Sequence, residues 1–390
     1  MKIPKVALLL ESSRAAGRGL LKGVADYVHH HGRWSFYWET SGLERAWPKL
    51  KAPDLQGIIL RDVGRLEEVL PFGIPAVVVG HSRPEVPGLV NVVTDSATIG
   101  RLAAEHLLGC GFRHFAYCGM SNAPGERTSW AKLREESFRQ RLGEEAGQVC
   151  HTHTAATARQ RSWQQERQAL IRWLSSLPRP CGLMACNDDL GKEVIEACKL
   201  AGLAVPDDVA VVGVDNDELV CGLSDPPMSS VAVNFERAGY EAAEVLSRLM
   251  RGNRRVPSRI VALASHVVPR RSTDILAAED PALVKALRAI RDQARDTIAV
   301  DDVVRAAGLC RRALENRFRN LLGHSVLDEI RRVRTDRIAR LLADTDLPVA
   351  RIADTLGFED AQHFARYFHA VKGLTPLAYR QAHRGGPAAQ

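Results

Sequence analysis

The sequence contains no hydrophobic stretch long enough to cross a membrane. The first apolar run, Val6–Leu10, has five residues, whereas a signal-peptide core needs about 7–15 and a transmembrane helix about 20. No later run reaches the length of a membrane span. We therefore expect a protein with no signal peptide and no membrane partner, and we predict that it is cytoplasmic.

Closely spaced cysteines are also missing. The eight cysteines are scattered along the chain and form no C-x-x-C pair, which suits a reducing compartment better than a disulfide scaffold. Cys150, His151 and His153 bring one thiol and two imidazoles together, but no second cluster of zinc type lies nearby. A surface loop is the favoured interpretation here, and we predict no metal site.

Catalytic and cofactor signatures are weak as well. No Ser-His-Asp or Cys-His set stands out, although such groups are recognised by geometry rather than by order. Gly17, Gly19 and Gly23 follow the first apolar run, but the last glycine lies one residue too far along for a dinucleotide-binding loop. We therefore predict that the protein is not an enzyme and has no cofactor.

The chain is long enough for two or three domains. It has 390 residues, of which 45% are hydrophobic and 25% are charged, an ordinary composition for a globular protein. The net charge of +7 and the pI of about 9.1 permit an anionic partner without proving one.

In the first two thirds of the chain, short apolar runs alternate with amphipathic stretches. This alternation predicts a doubly wound α/β fold with parallel sheets, in which ligands bind beyond the carboxyl ends of the strands. The predicted strands are Val6–Leu10, Ser35–Trp38, Gly57–Leu60, Ala76–Val79, Phe115–Cys118, Gly182–Cys186 and Val209–Val214.

Polar side chains follow several of these strands and should converge on one crevice. Carboxylate, amide and guanidinium groups together suit a polyhydroxylated ligand, because each hydroxyl both donates and accepts. Trp130 could lie against the apolar face of a sugar ring. Each polar residue taken singly could equally be a helix N-cap or a loop residue. The set comprises Glu11, Ser12, Ser13, Arg14, Arg61, Asp62, Asn187, Asp188, Asp215 and Asn216.

The C-terminal third reads as short helices joined by sharp turns. Gly357 separates two of them, and Asp360 can cap the second, on which Phe364, Phe368 and Val371 face inward. This is the helix-turn-helix layout, whose second helix enters the DNA major groove. An αα-hairpin in a helical bundle would show the same periodicity. The outer face of the second helix carries Gln362, His363 and Arg366.

A similar pattern precedes it. A leading helix runs from Pro281 to about Arg295, Gly308 makes the turn, and Cys310 stands at the cap of the next helix. On that helix Leu314, Phe318 and Leu321 face inward, while Arg311, Arg312 and Asn316 are exposed.

A longer helix should join the two patterns. Ser325 and Asp328 resemble a capping box at its start. Its length of roughly 18 residues spans about 27 Å, so it could set two recognition helices in successive major grooves, about 34 Å apart. Its inward positions are Leu327, Ile330, Ile338 and Leu341.

The order of residues in the C-terminal third resembles AraC-type transcription regulators. The match is carried by Ile352-Ala353, Gly357-Phe358, Phe364, Arg366, Phe368, Gly373, Thr375-Pro376 and Tyr379-Arg380. The resemblance implies a DNA-binding domain with two helix-turn-helix motifs. We expect DNA contacts from Arg311, Arg312, Asn316, Gln362, His363 and Arg366.

Residues 5–265 resemble the effector domain of LacI-type regulators and their periplasmic sugar-binding relatives. The match is carried by Val92-Val93-x-Asp95, Gly100, Glu105-His106-Leu107, Asn187-Asp188 and the run Asp208–Asp215. It implies a two-lobed sugar-binding domain in which Asp95, Asn187 and Asp215 touch the sugar.

The two halves together resemble the xylose-regulator family, in which a LacI-type effector domain precedes AraC-type motifs. The segment Trp130-Ala131-x-x-Arg134-Glu135 belongs to this match and adds Arg134 to the expected ligand residues. We predict a transcription regulator controlled by a small sugar, xylose or another pentose. The full expected ligand set is Glu11, Asp95, Trp130, Arg134, Asn187, Asp188 and Asp215.

The expected domains are an effector domain over 1–272, a linker over 273–284 and a DNA-binding domain over 285–386. The expected partners are double-stranded DNA, a sugar, a second copy of the chain in a homodimer, and RNA polymerase if the protein is an activator. The alternative is a sugar-binding or sugar-modifying protein whose C-terminal helices serve only for dimerisation. Such a protein would lack sequence-specific, salt-sensitive DNA binding.

Overall fold

The computed structural model describes a two-lobed α/β unit followed by a unit of helices. No helix of the described chain is long and apolar enough to cross a membrane. The expected polar residue Asp62 and the expected domain end at 386 lie outside the described residues. These are 3–40, 55–61, 73–80, 85–120, 130–144, 150–155, 162–274, 280–292, 298–358 and 360–383.

The strands form two six-stranded sheets, one in each lobe. In the first lobe the order is β11-β5-β4-β3-β1-β2, and in the second it is β12-β10-β9-β8-β6-β7. All pairings are parallel except that of β12 with β10. The strands are β1 (Lys5–Leu9), β2 (Ser35–Trp38), β3 (Gly57–Arg61), β4 (Ala76–Val79), β5 (Val90–Thr94), β6 (His114–Met120), β7 (Cys150–Ala155), β8 (Cys181–Ala185), β9 (Val209–Val214), β10 (Ser229–Val233), β11 (Arg259–Ala262) and β12 (Ala264–Val268).

Helices cover both sheets and make up the C-terminal unit. In the lobes they are α1 (Ala15–His31), α2 (Ser96–Gly109), α3 (Trp130–Glu144), α4 (Trp163–Ser175), α5 (Asp188–Leu200), α6 (Glu218–Leu223) and α7 (Phe235–Met250). The C-terminal unit contains α8 (Pro281–Asp292), α9 (Val300–Ala307), α10 (Arg311–Leu322), α11 (Val326–Asp344), α12 (Val349–Thr355), α13 (Ala361–Lys372) and α14 (Pro376–His383).

Three crossings between the lobes shape the α/β unit, because β1–β5 and β11 belong to the first sheet and β6–β10 and β12 to the second. In the first lobe, α1 and α7 pack closely on the sheet. A Cβ at Gly23 would lie 2.6 Å from the backbone nitrogen of Tyr240, and one at Gly239 would lie 2.7 Å from the Cα of Leu20. Gly23 and Gly239 therefore allow the two helices to pack closely.

The sequence predicted the architecture of this α/β unit correctly but missed five of the twelve strands that the structure describes. The predicted strands are confirmed to within a residue or two at their ends. Strands β5, β10, β11 and β12 were not predicted, and β12 makes the second sheet mixed rather than parallel. The surface loop expected at Cys150–His153 is wrong, since these residues form the edge strand β7 beside β6.

The C-terminal unit has two hydrophobic cores that share α11. The first helical module, α8 to α10 with the start of α11, buries Leu287, Leu314 and Phe318. The second helical module, the end of α11 with α12 to α14, buries Phe364 and Phe368. Each module thus holds one helix-turn-helix pair, and the expected spacer helix joins them with 19 residues.

Local signals at the helix ends agree with the sequence. Gly308 and Gly357 adopt positive φ angles of 68° where each pair turns. Asp360 caps α13 by accepting a hydrogen bond from the backbone of His363, and Ser325 with Asp328 forms the predicted capping box of α11. Cys310 makes no side-chain cap for α10, which leaves that helix start without this source of stability.

Two positions expected to face inward do not. Leu327 is 42% exposed and Val371 is 49% exposed. Leu327 lies in the first turn of α11, on the side away from Val326 and Ile330, which enter the first core. Val371 lies in the last turn of α13, beyond Phe364 and Phe368, and is not part of the second core.

We predict that a fragment of about residues 279–384 folds alone and binds DNA, because both of its cores are built from its own residues. Circular dichroism should show a helical, cooperatively melting fragment. Footprinting on the DNA that flanks its gene should show protection. A soluble and helical fragment without any footprint would contradict the assignment of DNA binding to this part of the chain.

Candidate functional site

A cavity of about 240 Å³ lies between the two lobes. Its walls come from the ends of strands in both sheets and from the first turns of α1, α3 and α7. Pockets for drug-sized ligands are typically about 300–1,000 Å³, so this cavity suits a smaller molecule. Of the expected ligand residues, Glu11, Trp130, Arg134, Asn187 and Asp215 line it.

Glu11 follows β1 and is held by three neighbours. Arg61, at the end of β3, donates to its Oε2, and the Ser13 hydroxyl donates to its Oε1 at 2.5 Å. Burial alone would raise the pKa of Glu11, but the Ser13 hydrogen bond and the charges of Arg61 and Arg14 bring the pKa below its usual value. The carboxylate therefore stays ionised inside the cavity, with its lone pairs available to hydroxyl donors.

Asp215 and Arg134 are neighbours in the second lobe, and both line the cavity. The Arg134 Nη2 lies 3.5 Å from the Asp215 Oδ1, and its Nη1 donates to the carbonyl of Cys186 at 2.5 Å. Burial raises the pKa of Asp215, while the Arg134 charge opposes that effect. The Nε of Arg134 is buried without a hydrogen-bond partner. A buried donor that makes no hydrogen bond costs free energy of folding.

The backbone at Asp215 is unusual. Asp215 has a φ of 99° and Asn216 a φ of 51°, and positive φ is uncommon for residues other than glycine. Such strain persists where surrounding contacts enforce it, often at ligand sites. Here it turns the Asp215 carboxylate toward the cavity and the Asn216 amide away from it, where its Oδ1 accepts from Arg270 at 2.8 Å.

Asn187 and Asp188 begin α5 but differ in surroundings. Asn187 caps the helix by accepting from the backbone of Leu190 at 3.0 Å, and it also lines the cavity. Asp188 is 3% exposed and is not among the cavity-lining residues. Its two oxygens accept from the Ser230 hydroxyl at 2.6 Å and the Asp217 backbone at 2.7 Å. Asp188 therefore supports the turn that carries Asp215.

Asp95 and Trp130 complete the expected set. Asp95 caps α2 by accepting from the backbone of Thr98 at 3.2 Å and is not among the residues that line the cavity. Trp130 begins α3 and lines the cavity, with the Arg134 guanidinium 4.6 Å above its ring centre. The aromatic ring is thus held in place by a cation–π contact.

Sequence reasoning missed several lining residues. Phe235, at the start of α7, contributes an aromatic wall, and Arg259 of β11 pairs with Glu85 at 3.2 Å near the cavity rim. Arg259 begins a strand that the sequence did not predict, and Phe235 follows another. The rule that the carboxyl ends of strands face the crevice would have found Phe235 once β10 was known, whereas Arg259 lies at the opposite end of its strand and falls outside that rule.

Two ion pairs join the lobes beside the cavity: Arg14 lies 2.8 Å from Asp189 of α5, and Arg18 pairs with Asp217. Both Asp217 carboxylate oxygens accept from the Nη2 of Arg18, at 2.8 and 2.7 Å. Asp217 follows the strained turn in the second lobe, whereas Arg18 lies on α1 of the first lobe. The degree of lobe closure is therefore tied to the position of the Asp215 turn.

The expected DNA-binding residues lie on the outer faces of α10 and α13, called the recognition helices below. Gln362, His363 and Arg366 are exposed on α13, and the His363 ring packs edge-on against Phe358. On α10, Arg311, Arg312 and Asn316 are exposed. Arg311 lies 3.5 Å from Asp301, a pair between two exposed side chains. Such pairs contribute little and yield easily to another anion.

Two family models match the chain. A periplasmic binding protein-like domain matches residues 104–273, and a helix-turn-helix domain matches residues 303–382. The xylose operon regulatory protein of Escherichia coli is 31% identical over 382 residues, which cover 96% of each chain. The chain belongs to the family of xylose operon regulatory proteins.

One further relative and one solved structure agree with this assignment. The xylose operon regulatory protein of Haemophilus influenzae is 28% identical over 385 residues, covering 96% of this chain and 98% of that one. A solved structure of a xylose-binding transcription activator, XylR, is 30% identical, with a TM-score of 0.62 over 98% of this chain and 99% of that one.

Family membership makes the chain a transcription regulator with a helix-turn-helix DNA-binding domain. The predicted fold, the predicted LacI-type and AraC-type halves, and the prediction that the protein is not an enzyme are confirmed. The alternative, in which the C-terminal helices serve only for dimerisation, is not favoured.

We predict that Arg366→Ala weakens specific DNA binding by about 1–3 kcal/mol with little loss of non-specific affinity, because Arg366 can reach base edges from the outer face of α13. Binding titrations on specific and unrelated duplexes measure both affinities. Arg172→Ala removes the same charge from an exposed site on α4 and serves as the control. An equal loss on every duplex would make Arg366 a phosphate contact instead.

Proposed function

We propose that a small sugar, D-xylose or another pentose, binds in the cavity between the lobes and controls binding of the protein to its operator. The observation that carries this proposal is the cavity itself, in which carboxylates, an amide, arginines and an aromatic ring converge in a member of this family. The names of its relatives, regulators of a xylose operon and a xylose-binding activator, favour a pentose.

The lining residues supply the contacts that a sugar needs. The carboxylates of Glu11 and Asp215 accept hydrogen bonds from hydroxyls, and charge-assisted bonds of this kind are the strong ones. Arg134 and Asn187 donate. Trp130 offers an apolar face to the ring carbons. The cavity volume of about 240 Å³ favours a monosaccharide over a longer saccharide.

The proposed ligand set therefore comprises Glu11, Trp130, Arg134, Asn187 and Asp215. Asp95 and Asp188 act indirectly in this proposal, because neither is among the residues that line the cavity. On the DNA side we propose contacts from Arg311, Arg312, Asn316, Gln362, His363 and Arg366, all of which lie exposed on the recognition helices.

The proposed organisation is an effector domain over 1–272, a linker over 273–284 and a DNA-binding domain over 285–386, although α8 already begins at Pro281. We propose a cytoplasmic homodimer, since two copies would place their motifs on paired half-sites. RNA polymerase is a further partner if the protein activates transcription.

A ligand panel tests the function directly. Thermal shift with pentoses and hexoses should show a rise in Tm for D-xylose or another pentose, because a ligand that binds only the folded state stabilises it. Footprinting on the DNA that flanks the gene, with and without that sugar, should show altered protection. A panel without any shift, together with a sugar-independent footprint, would refute the proposal.

We predict that Asp215→Ala lowers sugar affinity at least tenfold, since it removes charge-assisted hydrogen bonds contributing about 1.5–3 kcal/mol each and about 1.4 kcal/mol is a decade. Isothermal titration calorimetry measures the change. The variant should bind its operator at the sugar-free wild-type affinity without responding to sugar at concentrations that switch the wild type.

Two controls accompany this variant. Asp215→Asn tolerates the positive φ better than alanine, so a smaller loss in this variant separates lost charge from backbone strain. Asp207→Ala removes a carboxylate at the opposite, exposed end of β9 and should leave affinity unchanged. An intact sugar response in Asp215→Ala would place the ligand elsewhere. Loss of operator binding in a folded variant would make Asp215 part of the interdomain structure.

A further inference from the structure

Helix α2 runs from the cavity toward the DNA-binding unit. Ser96, its first residue, lines the cavity, and Gly109, its last, lies against α11. The 14 residues of α2 correspond to about 21 Å at 1.5 Å per residue. One rigid element therefore has one end at the proposed sugar site and the other at the second unit of the molecule.

Close packing ties α2 to the helix that carries two of the proposed ligand residues. A Cβ on Gly100 of α2 would lie 2.5 Å from the carbonyl oxygen of Arg134 and 2.7 Å from the backbone nitrogen of Phe138, both on α3. Trp130 and Arg134 also lie on α3. The backbones of α2 and α3 are thus in direct contact at Gly100.

The far end of α2 holds the segment that leads out of the effector lobes. The Nε2 of His106 lies 2.8 Å from the Oγ1 of Thr273, and the Cys110 thiol donates to the Thr273 carbonyl at 3.7 Å. Thr273 also contacts the Ser229 hydroxyl of β10 at 2.7 Å. Thr273 is therefore held by both α2 and the second sheet.

Gly109 meets Arg332 of α11 directly. A Cβ on Gly109 would lie 2.7 Å from the Arg332 Cζ, so the guanidinium packs on the helix backbone where only glycine leaves room. A second cavity, of about 440 Å³, lies beside this contact between β12 and α11.

Arg332 is in turn linked to both recognition helices. Its Nε and Nη2 donate to the two Glu329 oxygens at 2.8 and 2.7 Å, and Glu329 lies 3.0 Å from the Nε2 of His324, which follows α10. The Nη1 of Arg332 is 3.5 Å from Asp336, whose other oxygen accepts from Lys372, the last residue of α13, at 3.0 Å.

We propose that the Gly109–Arg332 contact is the positioning contact through which the effector lobes set the two recognition helices. This inference rests on the proposed function, namely that a sugar in the cavity controls DNA binding. When the sugar shifts α3 and α2, the end of α2 displaces Arg332. The contacts from Arg332 through Glu329 to His324 then move α10. Those from Arg332 through Asp336 to Lys372 move α13.

The test measures coupling, defined as the ratio of operator affinities with and without saturating D-xylose in the full-length protein. Couplings of this kind are typically about 5–150-fold. Gly109→Ala should reduce the ratio at least about threefold. Its sugar affinity by calorimetry should stay within about threefold of wild type, because the three atoms nearest the new methyl group all belong to the Arg332 guanidinium and not to the cavity. Its sugar-free operator affinity should shift toward the sugar-bound value, since the methyl group displaces Arg332 in the absence of sugar.

Gly143→Ala is the matched control. It makes the same substitution near the end of α3, where a Cβ would meet nothing within 4 Å, and its coupling should equal that of wild type. Arg332→Lys is the second variant. It keeps the positive charge beside Glu329 but removes the planar group that packs on Gly109, so it should also lower the coupling.

The double variant Gly109→Ala/Arg332→Lys should lose no more coupling than either single variant, since residues that act through one contact are not additive. Wild-type coupling in both single variants would overturn the inference while leaving the proposed function intact, and so would additive losses or an equal loss in Gly143→Ala. A wild-type protein whose operator affinity ignores D-xylose and the other pentoses would refute the proposed function, and this inference with it.

Discussion

The structure depends most on the turn that follows β9. Asp215 and Asn216 hold positive φ angles there, and the buried Asp188 carboxylate fixes the turn by accepting from the backbone of Asp217. Three successive side chains then point to three parts of the molecule. Asp215 faces the cavity, Asn216 accepts from Arg270 next to the segment leading to α8, and Asp217 pairs with Arg18 of the other lobe. Burial and the neighbouring Asp215 both raise the pKa of Asp188.

Sequence reasoning found the parts of this arrangement that depend on local order. Glu11, Asn187 and Asp215 follow buried strands, and that position alone brings them to the crevice. It could not separate Asn187 from Asp188, because both begin the same helix and only three-dimensional packing buries Asp188 against β10. It also missed Phe235, because that residue reaches the cavity only through the return of the chain to the first lobe. Some residues reach the cavity only because the chain crosses between the lobes late in the sequence, and no local sequence pattern marks them.

In the DNA-binding unit, local sequence patterns likewise predicted the helices but not every buried face. The 3.6-residue periodicity predicted α13 and its inward Phe364 and Phe368, and the capping signals placed the helix starts. Periodicity treats a helix as having one buried face, however, and α11 has two, since Ile330 enters the first core and Ile338 the second. A helix shared by two modules must change its buried side along its length. Leu327 was therefore assigned to the wrong face, although the helix itself was predicted correctly.

The charges on α11 explain why such a shared helix can transmit position. Glu329 is fully buried, and although burial opposes its charge, Arg332 and His324 hold its pKa well below the usual value. The stability from this depressed pKa is present above the pKa of the unfolded chain and is lost only as the pH falls through the folded value. A buried ion pair adds little net stability compared with an apolar replacement. The Glu329–Arg332 pair matters here for its geometry. Its two hydrogen bonds hold the Arg332 side chain in one orientation. A displacement of the end of α2 is therefore passed to α11, the helix that both modules share, and is not taken up by rotation of the side chain.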